Sequence, residues 1–96
     1  MLNAEQKALY DAFYESTHNN RYLDRKSEVL VGLAAAMAMN CAPCTDYYLQ
    51  QAKDAQVSKG ELSEVLAKVM AVAAGQKRLQ VQEVLERSKI DLDLFG

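Results

Sequence analysis

The sequence has one proline and four glycines among its 96 residues, a single histidine and no tryptophan. So few helix breakers leave room for long helices. No stretch alternates apolar and polar residues in the manner of a half-buried strand, so a sheet is not the organising element. The longest uncharged apolar run, Val29 to Met39, falls well short of the roughly 20 residues a bilayer demands. The opening MLNAEQKALY lacks the charged-then-apolar order of a secretory signal. Basic residues gather only in pairs such as Arg25-Lys26 and Lys77-Arg78, and the net charge is −2. No basic field exists to draw in phosphates, so a nucleic-acid partner is not expected. These absences predict one cytoplasmic domain over residues 1–96, with neither a membrane nor a nucleic acid as partner.

What is present has helical spacing. A first helix is predicted from about Ala4 to Thr17, with Leu9, Ala12, Phe13 and Ser16 along one stripe and Asp11 and Glu15 opposite. The polar THNNRYLD interrupts it, because Asn side chains compete with helical hydrogen bonds and suit turns. A second helix starts near Asp24, whose carboxylate can cap free backbone N–H groups. From Val29 to Met39 this helix is apolar on every side and so is expected to be covered on every side. Pro43 suits the first turn of a third helix, which runs to about Ala55. Ser58 and Glu61 form a capping box for a fourth, carrying Leu62, Val65, Leu66, Val69, Val72 and Ala73. Gly75 is read as its end or kink, and Lys77 to about Ser88 as a fifth helix. The tail KIDLDLFG is either disordered or docks on a partner through Leu92, Leu94 and Phe95. The fold class is therefore all-α, with about five helices. A chain of this length buries roughly 60–70% of its unfolded surface, which makes association with further subunits attractive.

The only two cysteines, Cys41 and Cys44, stand in MNCAPCTDYY at the start of the third helix. Unpaired N–H groups and the positive end of the helix dipole gather there, and both favour the reactive thiolate. Their spacing puts the Cα atoms about 5–6 Å apart, within disulfide reach. Three readings stay open from the residues alone. The pair is a redox-active dithiol, or two small buried hydrophobes, or half of a zinc site shared between subunits. A zinc site is the weakest, since structural zinc takes four ligands and the chain offers two Cys and one distant His. No metal and no cofactor is expected. The pair does not indicate a thioredoxin fold, for no βαβ pattern surrounds it.

From Leu23 to about Leu85 the chain resembles the alkylhydroperoxidase-like (AhpD) branch of the carboxymuconolactone decarboxylase superfamily. The residues that carry the resemblance are LDRKSEVLVGLAAAMAMNCAPCTDYYLQQAKDAQVSKGELSEVLAKVMAVAAGQ: a long alanine-rich helix, a C-x-x-C at the next helix start, then a capped helix with an apolar face. The resemblance implies an all-helical homo-oligomer, a trimer or hexamer. It also implies a dithiol that reduces small hydroperoxides or exchanges disulfides, with an external dithiol or thiol as reductant. It assigns attack on peroxide to Cys44 and resolution to Cys41. The family places a His four residues after the second cysteine, where this chain has Tyr48. It places a Glu twelve residues before the first, where this chain has Val29. Glu28 is adjacent, about 100° around the helix.

Tyr48 thus stands where a base is wanted. An imidazole titrates near pH 6.5 and a phenol near 10, so Tyr48 can donate a hydrogen bond to a thiolate but does not readily take its proton. Losing a general base typically lowers a rate 10²–10⁴-fold. Cys44, Cys41, Tyr48 and Glu28 are the candidate site. The function expected is a thiol-dependent peroxide reductase or disulfide oxidoreductase. One alternative is an oligomeric scaffold or small-molecule-binding member that has lost peroxidase activity. Another is a related decarboxylase or lyase, its base drawn from Glu28, His18 or a neighbouring subunit. His18, in the polar STHNN, is read as an exposed loop residue. Tyr10, Phe13, Tyr14 and Tyr47 are read as packing or rim residues, Asp46 as a charge favouring its helix dipole, and Met37 and Met39 as core filler.

Overall fold

The computed structural model describes residues 1–96 and contains four α-helices, a short 3₁₀ turn and no strand. Helix α1 spans Ala4–Ser16, α2 Arg25–Ala38, α3 Ala42–Asp54 and α4 Lys59–Arg87; the 3₁₀ turn covers Leu92–Leu94. No helix is long and apolar enough to cross a membrane.

Each helix start is built by a local side chain. Asn3 and Gln6 form a capping box on α1, Asp24 accepts the Ser27 N–H on α2, and Ser58 and Glu61 form the box expected on α4. Three helix ends use a residue in the left-handed region: Asn40 (φ 56°), Gln56 (φ 58°) and Lys89 (φ 53°). The next N–H reaches back to close each end: Cys41 to Ala36, Val57 to Ala52 and Ile90 to Leu85, all at 2.9 Å.

The expected fourth and fifth helices are one. Gly75 neither ends nor kinks α4, which continues through it for 29 residues in all. A single helical Gly costs only about 1 kcal/mol relative to Ala, and the alanines and long side chains around it are good helix formers.

Helix α2 is central, packed by α3 on one flank and by the first half of α4 on another. Val29, Leu33 and Ala36, a stripe at i, i+4 and i+7, are buried there with Ala52 of α3. Two polar ties close its amino-terminal end. Lys26 Nζ meets Glu61 Oε1 at 3.2 Å, and the Arg25 guanidinium donates to Gln51.

The expectation that α2 is covered all round does not hold within one chain, because only two flanks have neighbours. Val31 is 57% exposed and Met39 78%, so Met39 is not core filler. Helix α1 packs along no other helix, and beyond Gly75 nearly every residue of α4 is exposed, leaving Leu9, Phe13, Leu79 and Val81 open. The radius of gyration is 19.0 Å, against about 13 Å for a compact chain of this length.

Candidate functional site

The turn between α2 and α3 sets the cysteines. Asn40 ends α2 in the left-handed region, and the next residue, Cys41, is already the N-cap of α3. The two helices therefore reverse direction within a minimal connection. Cys41 Sγ accepts the Cys44 N–H at 3.3 Å, the position a Ser or Asp oxygen usually takes. Its carbonyl accepts both the backbone N–H and the hydroxyl of Thr45. The two Cα atoms lie 5.2 Å apart and the sulfurs are joined in a disulfide. Cys44 is exposed, whereas Cys41 is half-buried.

Because α3 runs back alongside α2, one turn along α3 from Cys44 leads to Tyr48, and Tyr48 lies on Gly32. A Cβ at Gly32 would collide with the Tyr48 ring, so the glycine is what admits the ring to the helix surface. Tyr48 is half-buried. Its phenol is held above the ordinary tyrosine value, first by desolvation and then by the neighbouring Tyr14, Glu28 and Tyr47. The hydroxyl therefore keeps its proton at neutral pH. It is a hydrogen-bond donor and not a base.

Glu28 lies one turn beyond Gly32 on α2 and is 8% exposed. Its Oε1 is 3.4 Å from His18 Nδ1, and its Oε2 is 3.8 Å from Arg25 Nη1. A carboxylate this buried requires such partners. It also sits in the first turn of its helix, where the dipole favours negative charge. The position the family pattern gives to a Glu, Val29, is fully buried core.

His18 corrects the reading of an exposed loop residue. Its side chain is only 18% exposed and is held on three sides. Glu28 meets Nδ1, the Tyr14 ring meets the imidazole edge-on at 4.9 Å, and the Tyr47 ring lies 5.9 Å away. Tyr47 in turn stands edge-on to Tyr48 at 5.0 Å. The signal for this was the series Tyr10, Tyr14, His18 at i, i+4 and i+8, which carries the α1 stripe past the helix end. Tyr10 and Tyr14 stack along it at 6.3 Å.

The site therefore has two ends on one α2–α3 surface. The disulfide is at the turn; Glu28 and His18 are at the other end; Tyr48 lies between them. Asp46 is exposed on α3. No three His, Cys, Asp or Glu side chains gather into a metal-ligand set. A groove of about 720 Å³ runs between α2 and α4 past Ala34, Ala38, Val69 and Val72 and touches none of the site residues.

Comparison with known proteins agrees with this architecture. No curated protein matches the chain. A crystal structure of a structural-genomics target protein from Methanobacterium thermoautotrophicum superposes with a TM-score of 0.76 at 24% identity, covering 83% of this chain and 90% of that one. That likeness establishes the shared fold. The profile of the carboxymuconolactone decarboxylase family matches residues 4–87, which takes in all four helices and every site residue named above. The chain belongs to the carboxymuconolactone decarboxylase family.

Proposed function

We propose that this protein is a dithiol–disulfide oxidoreductase of the alkylhydroperoxidase-like type, reducing small hydroperoxides or exchanging disulfides. The observation that carries the reading is the Cys41–Cys44 pair, bonded at a helix start with the Cys44 N–H directed at Cys41 Sγ. In the reduced protein that N–H stabilises negative charge on Cys41. Cys44 is the more exposed residue of the pair, which supports its role as the one a substrate reaches.

The chemistry follows in three balanced steps. The Cys44 thiolate attacks the terminal oxygen of a hydroperoxide; the O–O bond breaks, and sulfenic acid and alkoxide form. The alkoxide takes a proton and leaves as alcohol. The Cys41 thiolate then attacks the Cys44 sulfenic sulfur, and hydroxide leaves as water after protonation. An external dithiol attacks Cys44, expels Cys41 as its stabilised thiolate, and is itself oxidised to a disulfide.

The exposed apolar faces of α1 and α4 support a homo-oligomer, a trimer or hexamer, as the working form, and we place the protein in the cytoplasm. A reducing compartment would keep the dithiol charged with electrons. In the test, the purified protein turns over tert-butyl hydroperoxide with dithiothreitol, and Cys44→Ser reduces turnover to background. Equal turnover in Cys44→Ser would overturn the proposal.

One observation favours a second reading, an oligomeric scaffold without peroxidase activity: Tyr48 stands at the family's base position with its proton held tightly. Cysteines that stay reduced after excess peroxide would select that reading.

A further inference from the structure

We infer that the segment after α4, Asp91–Phe95, docks in the α2–α4 groove of a second copy of this chain; this deepens the homo-oligomer proposed above and rests on it, not on the dithiol chemistry. The inference starts from two open surfaces of opposite shape. The groove, about 720 Å³, is floored by small and apolar side chains, among them Ala34, Ala38, Val72 and Ala73. That volume lies within the roughly 300–1,000 Å³ of sites that enclose a ligand. The segment carries large apolar side chains with nothing to pack on: Leu92 is 59% exposed, Leu94 83% and Phe95 68%. Leu92 and Phe95 are joined across the 3₁₀ turn, where residues three apart eclipse, so they fall on one side.

Charge fits the two surfaces together. Lys68 and Lys77 line the groove and no acidic side chain does. Neither lysine is in an ion pair, and neither is Asp91 or Asp93. The lysines stand nine residues apart on α4, about 14 Å along its axis, and their flexible stems let both ammonium groups turn to one docked segment. Asp91 accepts the Asp93 N–H at 3.0 Å and so shapes the turn that presents both carboxylates. Helix α1, the other open apolar face, is the poorer occupant. Its Asp11 is already paired with Lys7, and its Tyr14 is engaged with His18.

The chain's own groove is out of reach. The Ile90 N–H is tied to the Leu85 carbonyl at 2.9 Å. Leu85 lies thirteen residues along α4 from Val72, about 20 Å. The chain from Ile90 to Phe95 spans at most about 18 Å when extended and about 10 Å with a 3₁₀ rise. A second copy supplies the groove instead. Segment and groove are different surfaces, so the contact is heterologous and passes from subunit to subunit, closing as a ring when the rotation allows. A trimer is such a ring.

The test puts the photo-reactive residue p-benzoylphenylalanine in place of Phe95 in the full chain. An assembly reconstituted from equal parts of unlabelled and heavy-nitrogen protein is irradiated, and cross-linked peptides are read by mass spectrometry. The cross-links are expected to join position 95 to the groove, within Lys68–Lys77 of α4 or Ala34–Asn40 of α2, and to include pairs of mixed isotope. Cross-links confined to one chain, cross-links to α1 or another face, or none at all would overturn the inference.

A charge exchange checks the same contact without a probe. Lys68→Glu with Lys77→Glu is expected to raise the subunit dissociation constant about 10-fold, read by sedimentation on dilution. Asp91→Lys with Asp93→Lys does the same, and the chain carrying all four substitutions recovers. No change in either pair, or no recovery in the combined chain, overturns the inference. Should a charge variant misfold, the cross-link decides. A wild type that sediments as a monomer throughout ends the homo-oligomer and this inference together. An oligomer cross-linked elsewhere ends the inference alone, and the dithiol reading falls only if Cys44→Ser turns over peroxide as the wild type does.

Discussion

The α2–α3 hairpin and the α1 and distal α4 arms are built from the same kinds of residue and end in opposite states. In the hairpin, Val29, Leu33, Ala36 and Ala52 are shut away from water. On the arms, Leu9, Phe13, Leu79 and Val81 are more than half exposed. Composition does not separate the two regions; neighbours do. The hairpin is closed by a minimal connection, and the first half of α4 covers another flank. No other helix packs along α1, and beyond Gly75 nearly every residue of α4 is exposed. Apolar patches this extensive are a mark of an association surface. The proposed dithiol site thus sits on the hairpin, where the chain supplies its own packing, and the proposed homo-oligomer would form through the arms.

The largest expected effect separates these roles. Leu33→Ala opens a cavity in the only closed core and is expected to destabilise the protein by about 2–5 kcal/mol, read by urea unfolding. Leu79→Asp on the distal arm is expected to leave the helical content intact and to lower the sedimenting mass to that of the monomer. An unchanged mass for Leu79→Asp would erase the distinction between the two regions.

The glycines sharpen the same comparison at smaller scale. Gly32 lies under the Tyr48 ring, and a Cβ there forces the ring out. Gly32→Ala is therefore expected to destabilise by about 1–3 kcal/mol. Gly75, in the middle of α4, has nothing within 4 Å of where a Cβ would stand. Gly75→Ala is expected to stabilise by about 0.5–1 kcal/mol, through lost freedom in the unfolded chain. Thermal unfolding of the two variants should shift in opposite directions. Shifts of the same sign would mean that Gly75 meets a packing constraint of its own, as Gly32 does.

Much of this was legible in the sequence because it is local. The caps at Asp24 and at Ser58 with Glu61, and Pro43 in the first turn of α3, act within four residues of where they stand. So does the closeness of Cys41 and Cys44. What was not legible depends on distant chain. Gly75 looked like an end because a breaker is visible in sequence, whereas the propensity of the surrounding α4 residues outweighs it only in sum. The coverage of α2 could not be read from its own apolar run, which is the same whether a flank meets α3, α4 or another subunit. His18 looked solvated among asparagines. Its meeting with Glu28 depends on the path of the α1–α2 connection, and only the Tyr10–Tyr14–His18 spacing hinted at which way it faces.

The smallest expected effect concerns acid, and it bears on the hairpin through its caps. The Ser27 N–H, and then its hydroxyl, hold the Asp24 carboxyl below its ordinary value of 3.8. The Ser58 N–H, then its hydroxyl, then Lys26 hold Glu61 below 4.5. For a carboxyl depressed on folding, the stabilisation is fully present above the unfolded value and is lost as pH falls through the folded one. Asp24 is exposed and Glu61 lies at the surface only partly covered, so each contribution is small. Stability is therefore expected to be flat through neutral pH with respect to these two groups and to decline below about pH 4.5. Asp24→Asn retains a capping oxygen but removes the charge, so its stability should vary less than the wild type's below that point. Urea midpoints collected between pH 6 and 3 test this. A wild-type slope preserved in Asp24→Asn would assign the acid sensitivity to other carboxylates.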